Sequence, residues 1–199
     1  MKKSTTMQWI IFIFIVVFGV IVIKEIGGRI YFAIANLDVK AVRSEDVVTG
    51  SWSGVQNAYK RRINLIKKFA ETANEYSGDE KGTFKELTQA CSNADSVANM
   101  KVEDLTQENL AKFRKAQSGI TLALGRFLMT VQQNPDINHS ENFNRLQAEL
   151  AKAEMQIGSE IENFNKAIDL YNKAIRSFPA VLVAEKHGFT KKYHFDTAR

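Results

Sequence analysis

The chain has 199 residues, of which 25% are charged and 45% hydrophobic, a composition typical of one folded domain with or without an anchor. Its one cysteine excludes an intrachain disulfide, so cysteine usage does not assign a compartment. The net charge of +5 is as compatible with anionic lipid as with nucleic acid, and two prolines permit long helices.

The first element is an apolar run near the N-terminus. Residues 7–23 (MQWIIFIFIVVFGVIVI) carry no charge and would reach about 25 Å as a helix, the short end of a membrane span. A cleaved signal peptide is the alternative. However, Lys24, Glu25 and Arg29 separate the run from the small residues 33–35 that a peptidase would need. We therefore predict an uncleaved, single-pass anchor that contacts membrane lipid through residues 7–23.

Two opposing signals bear on the side of the membrane that holds the rest of the chain. Two basic residues precede the apolar run and four follow it within about 20 residues, which favours an internal domain. A short basic N-terminus directly before a signal-anchor stays inside, which favours placing the rest of the chain outside. The orientation stays open, and of the two sides we favour the external one.

Composition shifts divide the chain into four predicted parts. Residues 1–28 form the anchor, 29–49 a juxtamembrane linker, 50–180 a helical bundle, and 181–199 a tail that packs on or beside the bundle. In the first bundle helix, apolar residues recur at intervals of three and four. These predicted core residues are Trp52, Val55, Tyr59, Ile63, Ile66, Ala70 and Ala73.

Two further helices follow before the longest one. A short helix is predicted over residues 83–98, and Asp104 or Thr106 can cap the next. The apolar residues of that next helix are Leu110, Phe113, Ile120, Leu124, Phe127, Leu128 and Val131. Residues 134–140 (NPDINHS) predict a turn, after which Ser140 can cap the last helix.

The last helix carries a near-heptad apolar stripe along about ten turns. Its members are Phe143, Leu146, Leu150, Ala153, Ile157, Ile161, Phe164, Ile168, Tyr171, Ile175 and Phe178. A stripe of this length needs partner helices to bury it, and no useful alternating strand pattern occurs. The sequence therefore predicts an all-α protein, an N-terminal transmembrane helix followed by an elongated antiparallel helical bundle.

Four motifs follow one another along the chain. They are SWSGVQNAYKRRINLIKKFAET at 51–72, NPDINHSENFNRLQAEL at 134–150, FNKAIDLYNKAIRSFP at 164–179, and Gly188-Phe189 followed by Phe195. Together, in this order, the four motifs resemble the LemA family. The third includes Phe164, Asn165, Tyr171, Asn172, Phe178 and Pro179, which we take as structural residues. The resemblance implies a bacterial, membrane-anchored helical bundle without established enzymatic activity. A magnetosome-associated branch of the family implies a role in membrane organisation.

No catalytic or metal-binding constellation is recognisable. The segment GSWSG at 50–54 has Trp52 where a nucleophile elbow needs its serine. His187, His194 and Asp196 match no usual zinc spacing. We therefore predict no enzymatic activity, no metal and no cofactor.

A basic cluster lies on the outer face of the first bundle helix. It consists of Lys60, Arg61, Lys67 and Lys68. Such a cluster is either an ordinary solvated face or a patch for anionic lipid headgroups or an acidic partner. Nucleic acid is not expected, because no aromatic residues interleave with these charges.

Polar residues on the buried faces predict contacts between helices. Arg62 falls at the edge of the buried arc, and a buried charge needs a partner. Glu154 and Glu160 of the long helix are the candidate partners. Asn165 and Asn172, seven residues apart, are interpreted as hydrogen-bonding groups between helices rather than as a binding site.

The function that these patterns favour is a non-enzymatic scaffold in the bacterial cytoplasmic (inner) membrane, with a protein partner or self-association. An extracytoplasmic sensor with a small-molecule pocket between helices is the alternative. A hydrolase is a further alternative, for which the sequence offers no convincing nucleophile or base.

Overall fold

The computed structural model describes residues 3–76, 81–133, 140–178, 180–182, 184 and 188–196. Within these residues, four α-helices span Lys3–Tyr76 (α1), Lys81–Val97 (α2), Gln107–Gln132 (α3) and Glu141–Arg176 (α4). Short 3₁₀ helices cover Val102–Asp104 and Ala180–Leu182. No strand occurs within these described ranges, and the all-α prediction is confirmed.

The chain divides into two compact units. The first combines Met1–Arg43 with Lys173–Thr190, and the second combines Ser44–Asn172 with Lys191–Arg199. The predicted linker 29–49 is helical throughout, as part of α1.

The first unit contains a helical segment that is long and apolar enough to cross a membrane. This segment is Trp9–Phe32, 24 residues with none of its length buried in the protein. It extends beyond the predicted run 7–23, because apolar residues continue past Lys24 and Glu25 to Phe32. The predicted N-terminal transmembrane helix thus has the length and composition that a span requires.

Phe178, which we predicted as the last member of the α4 stripe, is 78% exposed. The prediction was wrong because α4 ends at Arg176, so the helical phase that sets the stripe no longer applies two residues later. Pro179, the next residue of the motif, lies outside the described residues. The other stripe residues, from Phe143 to Ile175, are buried as predicted.

In the second unit, contacts along the helices show their directions. Trp52 near the start of the bundle part of α1 contacts Phe164 of α4, whereas Phe69 contacts Phe143. Because the order of the contacts reverses, α1 and α4 are antiparallel. The burial of such rings is a main source of stability, about 1.5–3 kcal/mol for each large apolar side chain.

The remaining helices alternate in direction in the same way. Lys67 of α1 contacts Asp95 of α2, and Lys60 contacts Asn99, so these two helices are antiparallel. The turn after α2 reverses the chain again, and the Thr106 side chain caps α3 by accepting from the Asn109 amide. Ser140 similarly accepts from the amide of Phe143 at the start of α4, and both predicted caps are confirmed.

The interior of the second unit has a polar layer between two apolar clusters. All seven predicted core residues of α1 are buried. One cluster is aromatic and consists of Trp52, Tyr59, Phe113, Phe164 and Phe195. The other is mainly aliphatic and includes Ile63, Ile66, Phe69, Leu87, Ile120, Phe127, Phe143 and Leu150. The polar layer between them holds Arg62 and Gln117.

Candidate functional site

The polar layer is built around Arg62, which is only 4% exposed. Its Nε lies 2.5 Å from Oε1 of Glu154 on α4. Its Nη2 donates to the Thr121 hydroxyl at 2.8 Å, and its Nη1 donates to Oε1 of Gln117 at 3.5 Å. One guanidinium of α1 thereby ties α3 and α4 together, as a buried charge with compensating partners requires.

Two buried nitrogens in this layer lack a directed hydrogen bond to any described residue. The N–H of Arg62 Nε does not point at Glu154, so their contact is an ion pair and not a linear hydrogen bond. The amide nitrogen of Gln117 has no acceptor at all among the described residues. The Arg62 donation identifies the amide oxygen of Gln117, so the unpaired atom is the donor nitrogen.

A cleft of about 240 Å³ opens onto this layer. Its polar lining residues are Tyr59, Arg62, Arg114, Gln117, Ser118, Thr121 and Glu154. Its remaining walls are Ile157, Gly158, Ile161 and Phe195. Burial raises the pKa of Tyr59 to about 12, with Arg62 opposing this shift and Glu154 adding to it, so the phenol is a donor at neutral pH.

Among the described residues, Asn165 and Asn172 bond to the extended C-terminal segment and not to another helix, which corrects our interpretation. The Asn165 amide accepts from the Phe195 N–H at 2.8 Å and donates to the Phe195 carbonyl at 2.9 Å. Asn172 makes the same pair of bonds to Lys192, at 3.0 and 2.9 Å. Seven helical residues and three extended residues both span about 10 Å, so the two spacings match. We call these four residues the asparagine clamp.

The clamp holds the segment 191–196 along α4. Phe195 is 1% exposed and packs in the aromatic cluster. His194 Nε2 lies 2.8 Å from Asp169 Oδ1, and the Lys192 ammonium lies 2.8 Å from Glu45 and 5.0 Å from the centre of the Tyr171 ring. The C-terminal segment is therefore part of the fold of the second unit.

The predicted basic cluster separates into two columns on α1. Lys67 bonds to Asp95 of α2, and Lys60 bonds to Asn99 in the turn that follows α2. Arg61 and Lys68, one heptad apart, are exposed, and none of the described contacts involves them. We call Arg61 and Lys68 the basic column.

Glu160, the second candidate partner of Arg62, lies instead against α1 at Gly54. A Cβ added to Gly54 would come within 2.6 Å of its Oε2, so the Glu160 side chain would have to shift to make room for it. Of the three residues His187, His194 and Asp196, whose spacing matches no usual zinc pattern, His187 lies outside the described residues. His194 and Asp196 belong to no group of three metal-type ligands among the residues that are described.

Sequence reasoning missed Gln117 and the link between the asparagines and the C-terminus. A signal for Gln117 was present, because it falls on the apolar stripe of α3, four residues after Phe113 and three before Ile120. The repeated asparagines and Phe195 were both noticed, but one sequence gives no direct measure of their proximity.

A sequence profile of the LemA family matches residues 51–199. The chain belongs to the LemA family. The clamp asparagines, Phe195 and the aromatic cluster all lie within the matched LemA region. The LemA family is not known as an enzyme family.

Individual relatives agree with this assignment. The chain is 24% identical over 159 residues to Protein LemA of Metamycoplasma hominis, covering 80% of this chain and 68% of that relative. It is also 31% identical over 80 residues to the magnetosome protein MamQ of Magnetospirillum gryphiswaldense, covering 40% of this chain. The matched segment spans only 29% of MamQ, and a MamQ of Paramagnetospirillum magneticum matches over the same shares with 30% identity.

Proposed function

We propose that this protein is a membrane-anchored interaction protein, in which an N-terminal helix holds a helical bundle at a bacterial cytoplasmic membrane. The observation that carries the proposal is the exposure of Trp9–Phe32. This 24-residue segment presents isoleucine, valine and phenylalanine on every side and buries none of them in the protein. Such a surface is stable in hydrocarbon and strongly unfavourable in water.

The second unit supplies the interaction surface in this proposal. The basic column of this unit is exposed on the solvent face of α1, outside the buried core. Two adjacent cations at heptad spacing suit an acidic surface of a protein partner, including a second copy of this chain. The similarity to magnetosome proteins supports a role in membrane or envelope organisation. We place the bundle on the external side, as the short basic N-terminus favours.

Charged substitutions within the apolar segment test the anchoring. Val16→Arg/Val20→Arg places two charges near its middle, each costing about 2.5–3.5 kcal/mol on insertion scales. We expect the wild-type chain in a carbonate-washed membrane pellet and the double variant in the supernatant. Val16→Leu/Val20→Leu is the control and should remain in the pellet. A double arginine variant that stays in the washed pellet would contradict membrane anchoring by this helix.

A sensor remains the second candidate function, because the cleft brings together more polar groups than the sequence indicated.

A further inference from the structure

The cleft beside Arg62 ends at polar groups that the described residues leave incompletely bonded. Gln117 is 95% buried, and its amide nitrogen, which carries two N–H groups, donates to none of the described residues. A buried unpaired donor costs about 1–3 kcal/mol, so a ligand that supplied an acceptor would remove that cost. We propose that this cleft binds a small organic anion through its carboxylate group. The site is independent of the anchoring role proposed above.

The charges around the cleft favour an anion. Two guanidinium groups, Arg62 and Arg114, line it against one carboxylate, Glu154. Asp196 lies 3.9 Å from Arg114, but its side chain is 80% exposed, so solvent screens much of its charge. The cleft therefore has an excess of positive charge and of donors.

The donors are also of the types that bind carboxylates. The Gln117 amide and the two guanidinium groups donate only through N–H, and the raised pKa of Tyr59 keeps its hydroxyl a donor. A carboxylate has two acceptor oxygens with about four lone-pair sites, which can serve several of these donors at once. A neutral amide or an amine would leave donors unpaired or add a third cation.

The volume and the walls set the size of the ligand. About 240 Å³ is less than the roughly 300–1,000 Å³ of sites for drug-sized ligands. Part of the lining is apolar and consists of Ile157, Ile161 and Phe195, and a side chain at Gly158 would meet open space. The ligand class is therefore a compact acid with a small apolar body.

Thermal unfolding of the detergent-solubilised full chain tests the proposal. Sodium acetate, succinate and benzoate would be titrated against sodium chloride of equal ionic strength and against the neutral amides acetamide, succinamide and benzamide. We expect at least one acid to raise Tm by about 3–6 °C at a tenfold excess over its Kd. The corresponding amide should leave Tm unchanged. If no acid shifts Tm beyond the chloride control, or if acid and amide act equally, the proposal is overturned.

Two variant pairs locate the response in the cleft. Gln117→Glu places a carboxylate beside Arg62 within the protein, so the acid-dependent shift in Tm should disappear. Gln89→Glu, at an exposed position of α2, should keep the shift. Gly158→Leu should fill the cleft and abolish the shift. Gly125→Leu adds the same side chain at another open helical position and should retain it. A shift that persists in both cleft variants would overturn the assignment to this site.

Discussion

Arg62 and Glu154 form an ion pair between α1 and α4 in which the arginine is buried and the glutamate is not. Nε and Oε1 are 2.5 Å apart, while the side chains are 4% and 45% exposed. Removing the exposed partner leaves a buried charge, whereas removing the arginine leaves a carboxylate that water can solvate. The free-energy cost of the charge left unpaired therefore depends on which of the two partners is removed.

Substitution of Arg62 tests the polar layer. Arg62→Ala loses the ion pair, two hydrogen bonds and much buried side-chain volume, so we expect the free energy of unfolding to fall by about 2–4 kcal/mol. Glu154→Gln retains an acceptor and should cost less, about 1–2 kcal/mol. Thermal or urea unfolding measures both. Lys166→Ala, which removes an exposed pair with Glu162, is the control and should have no measurable effect. Equal stability of Arg62→Ala and wild type would contradict this account of the layer.

The asparagine clamp makes a prediction about local stability. Asn165→Ala removes both bonds to the Phe195 backbone, at a cost of about 1–3 kcal/mol. We expect faster hydrogen exchange at the amides of Lys192 and Phe195, with α2 unaffected. Asn93→Ala, which removes an exposed side-chain bond to Gln89, is the matched control. Unchanged protection of the Phe195 amide in Asn165→Ala would show that the clamp does not hold this segment.

The raised pKa of Tyr59 predicts that the folded protein loses stability at high pH. Its pKa is about 12 in the folded protein and about 10 in the unfolded chain. Below pH 10 both states keep the proton. Between pH 10 and 12 the unfolded chain loses it first, so the free energy of unfolding falls with rising pH by as much as about 2–3 kcal/mol from this group.

Comparison of wild type with Tyr59→Phe isolates that contribution. The stability difference between the two proteins should change between pH 9 and pH 11.5, because the phenylalanine cannot ionise. Absorbance at 295 nm should show in the wild type a phenol transition near pH 12 that is lost in Tyr59→Phe. A Tyr59 phenol that titrates near pH 10 would contradict its burial beside Glu154.

Much of the fold followed from spacing alone, and the exceptions have physical causes. Residues such as Trp52, Ile63 and Phe127 were correctly placed in the core because apolar periodicity reports directly on a buried helical face. The prediction that Phe178 is buried was wrong because apolar periodicity does not show where a helix ends. The pairing of Arg62 with a glutamate could be anticipated because an unpaired buried charge is costly.

The candidate site was less accessible to sequence reasoning. The clamp joins residue pairs that are 20 and 30 positions apart in sequence, through an extended segment without a periodic pattern, so nothing local linked Asn165 to Phe195. In the sequence, Gln117 is a single polar residue within an apolar stripe. Its role as a partner of Arg62 is visible only in the structure. Clefts depend on how helices pack, and side-chain type alone does not specify that packing.

Site-specific photocrosslinking in living cells tests the proposed interaction role most directly. A photoreactive amino acid would replace Arg61 or Lys68 in the full chain, with the exposed positions Lys115 and Lys152 as matched controls. The account predicts a discrete, membrane-associated adduct with a protein partner or a second copy from both positions of the basic column, and none from the controls. No adduct from the basic column, or the same adducts from all four positions, would contradict an interaction surface there.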